Sequence, residues 1–323
     1  MTDAAKPLKL VFCGTPQFAV PTLQAVLAAG HQVALAVSQP DRPAGRDQQL
    51  LAPPVKQTAL AAGIPVAQPE KIRNHPEFRA QLEAIAPDAI VVVAYGRIIP
   101  PWMLALPRLG CINLHASLLP RYRGAAPIQW AVAMGDAITG NTTMLLEEGL
   151  DTGPILLQQT IEIAPEQTAA GLFPVLAHAG APLMVATLAG LADGSLQPQP
   201  QNHAAATLAP LLDREDGRMD FAARSAADLL NRWRGFQPWP GAFTALHGKK
   251  LIVHRLAVAH LSDAEPMDAA EPGSVHVENH RLYVRCAANT WLELMEVQLE
   301  GKKRLQAAEF LRGNPLASGA RLG

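Results

Sequence analysis

Short, almost continuous apolar runs alternate with amphipathic stretches along residues 1–192. The runs at 8–13, 32–38 and 89–94 are typical of strands that are buried on both faces of a parallel sheet. Between the first two runs, the apolar positions of residues 20–29 recur with helical spacing, and Gly30 stands where such a helix would end. Strand, helix and strand in this order predict the start of a doubly wound, Rossmann-like α/β sheet.

The same pattern predicts the remaining elements of this half. Shorter strands are expected at 64–67, 142–146 and 155–163, and helices at 55–62, 78–85, 128–134 and 172–191. Asn74, just before Pro76, is the expected start of one helix. Pro174 and Pro182 lie inside the last helical stretch, where proline removes a backbone donor, so a kink or a break is expected there.

The pattern changes at residues 193–206, which combine Gly, Pro and Gln without apolar periodicity and therefore suggest a linker. Beyond it, an amphipathic helix is predicted at 225–233, capped by Ser225, and a closing helix at 306–311. Between them, short alternating runs predict strands at 242–246, 250–257, 273–277, 281–286 and 291–297. Short strands at such spacing suggest a small β-barrel. We therefore expect one domain over 1–192, the linker 193–206, and a second domain over 207–323.

Composition and charge agree with a globular protein. Hydrophobic residues make up 49% of the chain and charged residues 17%, which is too little charge for a disordered chain. The net charge of -1 gives no global basic field for a nucleic acid, although a local basic surface would suffice. The three cysteines are far apart and lack CxxC spacing, so buried thiols in a reducing cytosol are expected rather than disulfides or a zinc knuckle. The start of the chain lacks the layout of a signal peptide, and a cytoplasmic protein is expected.

The chemistry concentrates between Gly110 and Asp151. An apolar run around Leu114 predicts a short buried strand on which Asn113 and His115 point to the same face. Asp151 follows in a tight Gly-containing turn, and residues 117–124 are expected to form an exposed loop with free backbone groups. None of the three polar side chains is a strong nucleophile at neutral pH, which favours charge stabilisation during a direct transfer.

Their roles follow from their donors and acceptors. Asn113 would donate to a developing oxyanion, and His115 would donate a second hydrogen bond if protonated. Asp151 would favour that protonated form or accept the final proton. A metal site is not expected, because His115 has no second His or Cys at ligand spacing.

Several sequence motifs, spread over nearly the whole chain, indicate the same protein family. Around the polar set lie Asn113-Leu-His115, Ser117-Leu-Leu-Pro120, Arg121 to Ile128 and Leu150-Asp-Thr-Gly153, and elsewhere Phe12 to Pro16, Gln39 to Arg46, Val91 to Gly96 and Gln237 to Pro240. Together these motifs resemble the folate-dependent formyltransferase superfamily. The resemblance implies a Rossmann-like domain followed by an OB-like Greek-key barrel. It also implies transfer of a formyl group from 10-formyltetrahydrofolate to the amino group of methionine on initiator tRNA.

The resemblance also assigns expected roles to individual residues. Asn113 and His115 would stabilise the tetrahedral oxyanion, and Asp151 would orient His115 and help to take up the amine proton. The residues expected to contact the folate are Tyr95, Gly96, Ile98, Ser117, Leu118, Leu119 and Pro120.

Candidate tRNA contacts fall into three groups. Residues 40–54 lack periodicity and predict a functional surface loop, in which Arg42 and Arg46 suit phosphate contact. The alternative for this loop is a solvated segment closed by its own Asp–Arg pairs. Arg121 and Arg123 are expected to meet either the glutamate tail of the folate or the RNA. On the barrel, the candidates are Lys249, Lys250, Lys302, Lys303 and Arg304.

Other readings of the same residues stay open at this point. A folate-dependent N-formyltransferase that acts on a nucleotide-sugar amine or a small ribonucleotide amine would carry the same polar set. The loop 40–54 and the barrel favour a large acceptor. Hydrolysis of the donor would replace the amine with water. A non-catalytic folate- or RNA-binding protein would keep the fold, but an intact Asn113, His115 and Asp151 argue against it. Neither a membrane nor an obligate protein partner is predicted.

Overall fold

The computed structural model describes residues 7–44, 49–259, 271–317 and 320–323. Contacts divide the chain into two compact units. The first comprises residues up to 127 together with 138–162 and 171–210, and the second comprises 128–137, 163–170 and 211–323. The stretch 193–206, which the sequence suggests as a linker, lies within the first unit.

A seven-stranded sheet organises the first unit. In chain order the strands are β1 (Lys9–Gly14), β2 (Gln32–Val37), β3 (Arg42–Ala44), β4 (Gln49–Leu51), β5 (Val66–Ala67), β6 (Ala89–Val93), β7 (Cys111–His115), β8 (Ile138–Leu145) and β9 (Ile155–Glu162). The spatial order is β5-β2-β1-β6-β7-β8-β9, and β3 pairs with β4 separately. The first five of these strands are parallel, and β8 and β9 continue the sheet antiparallel. The predicted mostly parallel α/β sheet is confirmed.

The continuous apolar runs have a simple structural reason. Every residue of β6 is buried, as are the last five of β1, because these strands lie in the middle of the sheet. One core cluster joins Val11, Leu35 and Ile90 from three strands to Phe78 and Leu82 of a helix. A strand that is buried on both faces has apolar residues at successive positions, because neither face contacts water.

Eight α-helices occur in the described residues. They are α1 (Val20–Ala28), α2 (Pro54–Ala61), α3 (Pro76–Ile85), α4 (Pro101–Leu104), α5 (Pro127–Ala133), α6 (Ala169–Asp193), α7 (Ala226–Gly235) and α8 (Ala307–Gly313). The predicted start of α3 at Asn74 is wrong by one residue. His75 caps this helix, and its ring Nδ1 accepts a hydrogen bond of 3.3 Å from the Phe78 amide. An imidazole acceptor thus takes the place of the expected carboxamide.

Helix α6 runs without a break through Pro174 and Pro182, so of the predicted kink or break, the break does not occur. Leu172 and Leu176 are buried near its start, and Met184 and Leu188 are buried near its end. Packing on both sides of the prolines therefore compensates for the missing backbone donors. By length and composition α6 would also suit a membrane, a criterion that core helices of soluble proteins meet as well.

The described parts of the segment 40–54, residues 40–44 and 49–54, contain more regular structure than the sequence predicts. β3 and β4 form an antiparallel pair in which Arg42 lies opposite Leu51. Among the described residues, the partners of the Asp41 carboxylate are Lys56, which donates at 2.7 and 2.9 Å, and Gln68, which donates at 2.7 Å, and not an arginine. The hydrogen bonds from Lys56 and Gln68 lower the pKa of Asp41. The expected closure of this segment by its own Asp–Arg pairs is therefore not what holds Asp41.

The second unit contains an antiparallel sheet of six strands. They are β10 (Phe243–Leu246), β11 (Lys249–Ala259), β12 (Val275–Glu278), β13 (Arg281–Cys286), β14 (Thr290–Leu299) and β15 (Leu305–Gln306). The order is β10-β11-β14-β13-β12, and β15 pairs with β14. Ser225 and Asp228 form a capping box at the start of α7, as the predicted cap requires. The predicted antiparallel β domain is confirmed.

All three cysteines are free and buried, so we expect the native protein to resist alkylation. Burial raises the pKa of Cys111 and of Cys286 to about 12, and it raises that of Cys13 well above the ordinary value. Because burial favours the neutral thiols, their contribution to the free energy of unfolding is fully present below the pKa of a cysteine in the unfolded chain. It is lost as the pH rises toward 12. Mass spectrometry after iodoacetamide treatment at pH 8 should find labelled cysteines in urea and none in the native protein. Rapid labelling of the native protein would contradict this burial.

Candidate active site

Strand β7 carries Asn113 and His115 on one face, as the alternation predicts. It lies between β6 and β8, with Asn113 opposite Val92 on one side and His115 opposite Thr142 on the other. His115 is only 5% exposed, whereas Asn113 is half-buried. Within the described residues, the Asn113 carboxamide makes no hydrogen bond. Its donor and its acceptor therefore remain available to a ligand.

The two ring nitrogens of His115 have different neighbours. Nε2 lies 2.9 Å from the carbonyl oxygen of Tyr122, and because a carbonyl only accepts, Nε2 must carry a hydrogen. Nδ1 lies 3.6 Å from a carboxylate oxygen of Asp151. This separation is long for a hydrogen bond, and it places the carboxylate beside the ring nitrogen that Tyr122 does not contact.

The turn that carries Asp151 is held closely. The carboxylate accepts a hydrogen bond of 2.8 Å from the Gly124 amide. Asp151 itself has a φ of 49°, in the left-handed region that costs energy for residues other than glycine. At Gly153 an added Cβ would lie 1.9 Å from the Leu145 carbonyl oxygen, so only glycine fits there. The predicted tight turn thus brings the carboxylate to His115.

The loop 117–124 is not the exposed segment with free backbone groups that the sequence predicts. The Ser117 hydroxyl donates to the carbonyl of Arg121 at 2.7 Å. Thr142 donates to the Ser117 carbonyl at 2.6 Å and accepts from the Leu119 amide at 3.1 Å. Gln158 donates to the Leu119 carbonyl at 2.9 Å. Polar side chains of β8 and β9 therefore satisfy the loop from inside the fold, and this correction could not come from local sequence.

Tyr122 is the most constrained residue of this loop. Its φ is 63°, which is unfavourable for a bulky side chain. Its amide donates to the Thr207 hydroxyl at 2.9 Å, while its carbonyl is the acceptor of His115. The Arg121 guanidinium lies 4.9 Å from the centre of its ring. A strained backbone position that orients a site histidine is typical of functional loops.

The residues predicted to contact folate differ in how much of their surface is exposed to solvent. Ser117 and Leu119 are buried, Leu118 and Pro120 are half-buried, and Ile98 is 87% exposed. Burial raises the pKa of the Tyr95 phenol, whose hydroxyl has no hydrogen-bond partner among the described residues.

The main chain at Tyr95 faces other polar groups. The Tyr95 carbonyl accepts bonds of 3.1 Å from both Thr15 and Gln39. Gly96 follows with a φ of 79°, and the two residues form part of the wall of a cavity of about 620 Å³. The other lining residues are Thr15, Pro16, Gln39, Pro40, Arg42, Leu51, Ala52, Pro53, Pro54, Gln57 and Ala94. The cavity thus brings Arg42, Tyr95 and Gly96 together, but Asn113 and His115 are not among its lining residues.

The predicted arginines lie in different environments. Arg42 is exposed and has no carboxylate partner among residues 7–44, 49–259, 271–317 and 320–323. Arg46 lies outside the described residues. Arg121 is exposed, whereas Arg123 is only 7% exposed. The Arg123 guanidinium donates to Gln201 and to His203, so its environment is that of an internal residue rather than a surface cation.

The sheet of the second unit gathers the predicted lysines at one end. Leu251 lies opposite Leu299, and the Glu300 amide donates to the Lys250 carbonyl at 2.9 Å. This register places the start of β11 beside the turn after β14, which holds Lys302, Lys303 and Arg304. Lys303 and Arg304 pair with Glu309 and Glu296, whereas Lys249 and Lys302 make no ion pair in the described part of the chain. Desolvation and the nearby Arg214 lower the pKa of Lys250.

Sequence reasoning missed Gln201, which is buried beside the Asp151 turn. Its position in a Gly-, Pro- and Gln-rich stretch gave no signal of burial. The described residues contain no group of three or more His, Cys, Asp or Glu side chains placed to hold a metal ion.

Comparison with known proteins extends over both units. A family model described as formyl transferase matches residues 8–188, and one described as formyl transferase, C-terminal domain, matches 211–315. The chain is 68% identical to the methionyl-tRNA formyltransferase of Acidobacterium capsulatum, over 98% of this chain and 100% of that protein. It is 57% identical to the methionyl-tRNA formyltransferase of Koribacter versatilis, over 97% and 98%.

A solved structure has the same fold at much lower identity. WlaRD, a sugar 3N-formyl transferase crystallised in the presence of dTDP and 5-N-formyl-THF, matches with a TM-score of 0.62 and 16% identity. The match covers 92% of this chain and 100% of that one. At this identity the likeness concerns the fold alone.

Proposed function

The chain belongs to the formyl transferase family, and we propose that it transfers a formyl group from a folate donor to the methionine carried by initiator tRNA. Two relatives that are 68% and 57% identical over nearly the whole chain bear the name methionyl-tRNA formyltransferase. The product, formyl-methionyl-tRNA, serves translation initiation. We further propose 10-formyltetrahydrofolate as the donor and the cytoplasm as the location.

One observation supports the chemistry most directly. Asn113 presents a carboxamide that has no hydrogen-bond partner among the described residues, on the same strand face as His115, whose second nitrogen faces Asp151. In the proposed reaction, the amine nitrogen attacks the formyl carbon, a new C–N bond forms, and the carbonyl oxygen becomes an oxyanion. The oxyanion collapses to a carbonyl again as the bond from the formyl carbon to the folate nitrogen breaks. The amine loses one proton and the folate nitrogen gains one.

Each of the three side chains has a place in this sequence. The Asn113 carboxamide donates to the oxyanion in a site that is partly shielded from water. Nδ1 is the His115 nitrogen that Tyr122 leaves unoccupied, so a proton held there donates a second hydrogen bond or passes to the folate nitrogen. The Asp151 carboxylate stabilises that proton and helps to remove the one released by the amine.

The acceptor is tested by a panel of amines with one labelled donor. The purified protein is incubated with 10-formyltetrahydrofolate and methionyl-tRNA, an amino-sugar nucleotide, or a small ribonucleotide amine. We expect formylation of methionyl-tRNA and none of the small amines, with little formate released when no acceptor is present. Formylation of a small amine in preference to methionyl-tRNA would overturn the proposed acceptor. Rapid formate release without acceptor would indicate hydrolysis instead.

Lys249 and Lys302, which lack ion-pair partners among the described residues, are proposed phosphate contacts. Changing each to glutamine should raise KM for tRNA and leave kcat unchanged. The log-log slope of KM against salt should fall by roughly 0.7 to 0.9 for each contact removed. Lys71→Gln, an exposed lysine of the first unit, is the matched control and should leave the slope unchanged. Equal slopes in all variants would exclude these two lysines as phosphate contacts.

A further inference from the structure

Gln201 is a buried carboxamide whose donors and acceptor are all engaged. It is 6% exposed. Its Nε2 donates to the carbonyl of Asp151 at 2.9 Å and to the carbonyl of Gly153 at 2.7 Å. Its Oε1 accepts from the Arg123 guanidinium at 3.1 Å and 2.7 Å. Because guanidinium groups only donate and carbonyls only accept, this environment permits a single orientation of the amide.

Arg123 and Gln201 close a ring of contacts around Asp151. Arg123 is followed directly by Gly124, whose amide donates to the Asp151 carboxylate at 2.8 Å. The Arg123 side chain holds Gln201, and Gln201 holds the main chain of Asp151. The carboxylate and the backbone of Asp151 are thus tied to two consecutive residues of the loop 117–124. A third contact, 3.0 Å from the Arg123 guanidinium to Nδ1 of His203, completes the surroundings of this cation.

The chain around Gln201 is itself fixed to the loop 117–124. The Thr207 hydroxyl accepts from the Tyr122 amide at 2.9 Å, and the Ala209 amide donates to the Arg123 carbonyl at 2.7 Å. Farther back, Gln199 and Ile155 exchange two backbone hydrogen bonds of 2.8 Å. The stretch from Gln199 to Ala209 therefore packs as part of the first unit beside the Asp151 turn, although part of it reads as a linker.

We propose that Gln201 is a positioning residue that fixes the Asp151 turn relative to His115, and that Arg123 holds Gln201 in the required orientation. This inference rests on the proposed function. Asp151 keeps a left-handed backbone, which persists only where surrounding contacts impose it. Two hydrogen bonds from Gln201 supply that restraint at the residue itself and at Gly153. Without them the turn relaxes, and the distance of 3.6 Å between the Asp151 carboxylate and His115 is no longer held.

Loss of this restraint should act on turnover rather than on substrate binding. Gln201→Met keeps the size of the side chain and removes both donors. Because a misplacement of about 1 Å in a catalytic group costs on the order of 100-fold, we expect kcat to fall about 10- to 100-fold. KM for tRNA and for the folate should stay within about twofold, since the proposed role is positioning rather than uniform binding. Gln199→Met is the matched control, an exposed glutamine two positions away whose side chain, within the described part of the chain, bonds only to the Gln197 carbonyl.

Gln201→Glu separates positioning of Asp151 from support of Arg123. A glutamate at this position still accepts from the Arg123 guanidinium but has no hydrogens to donate to Asp151 and Gly153. We therefore expect Gln201→Glu to lose at least as much activity as Gln201→Met, because its carboxylate also faces the two carbonyl oxygens to which Gln201 donates. Wild-type kcat in Gln201→Glu would mean that Gln201 serves only to accept hydrogen bonds from Arg123, and would overturn the proposal.

A double-mutant cycle with Asp151 provides the second test. If Gln201 acts through Asp151, Gln201→Met should lower kcat in the wild type and have little further effect in Asp151→Asn. Independent effects that multiply in the double variant would contradict the proposal.

An NMR measurement that does not depend on turnover tests this inference independently of the proposed function. The imidazole NMR signals of His115 in protein labelled with ¹⁵N-histidine should shift in Gln201→Met and stay unchanged in Gln199→Met. Unchanged signals in both variants would overturn the positioning role even if the wild type formylates methionyl-tRNA. A wild type that fails to formylate methionyl-tRNA but shows the expected shifts would instead refute the proposed function.

Discussion

Asn113→Ala lowers kcat for formyl transfer about 100- to 1000-fold, the usual cost of removing one oxyanion donor. The expected loss is large because this carboxamide has no other task that the described contacts reveal. It lies half-buried on β7 without a hydrogen-bond partner in the described chain, next to the His115 position on the same face. Folate binding should persist, since the oxyanion forms only during the reaction. Single-turnover rates at saturating donor, with a separate folate-binding titration, measure the two quantities.

Two further variants sharpen this result. Asn113→Asp keeps the shape of the side chain but replaces the donor with a carboxylate, so its kcat should be at least as low as that of Asn113→Ala. A packing role would tolerate aspartate better than alanine. Asn74→Ala, an exposed asparagine in the same unit, should have wild-type kcat. If Asn113→Ala turned over at a near wild-type rate with folate bound, Asn113 would not be the oxyanion donor.

Asp151→Asn should lower kcat about 100- to 10,000-fold, the range over which a positioned acid or base contributes. Asparagine preserves the size of the group and an oxygen that accepts from the Gly124 amide, so the turn should keep its conformation. What disappears is the negative charge 3.6 Å from Nδ1 of His115, which the proposed reaction uses in its proton transfers. The pH dependence of the single-turnover rate, together with circular dichroism to monitor folding, measures this effect.

Asp193→Asn is the control for the Asp151 experiment, because Asp193 is an exposed carboxylate of the same unit. It should leave kcat and its pH dependence unchanged. A folded Asp151→Asn protein with the wild-type rate at every pH would exclude a proton-handling role for Asp151.

The parts of the site that depend on local geometry could be predicted from the sequence. Asn113 and His115 are two positions apart, and a strand places such residues on one face whatever the surrounding fold. The strands β1 and β6 were evident because burial on both faces leaves a continuous apolar run. Asp151 is joined to this pair by the Gly-containing turn that carries it and by the family resemblance, because strand spacing does not connect it to Asn113 and His115. Strand β8 runs antiparallel to β7, and the turn that follows β8 carries Asp151. This pairing brings Asp151 back to the end of β7.

The rest depends on contacts between distant parts of the chain. Thr142 and Gln158 satisfy the loop 117–124 from β8 and β9, so the loop is internal although its own residues read as exposed. Gln201 lies in a stretch with the composition of a linker, and only the three-dimensional structure places its carboxamide between Arg123 and the Asp151 turn. A hydrogen-bond partner that lies far along the chain leaves no periodic signal in the sequence.

The central claim is tested most directly by single-turnover formylation of initiator and elongator methionyl-tRNA with 10-formyltetrahydrofolate, following formyl-methionine itself. We expect rapid formation of formyl-methionine on the initiator tRNA and little on the elongator. The absence of formyl-methionine on either tRNA, from protein that binds the folate, would contradict the proposed acceptor.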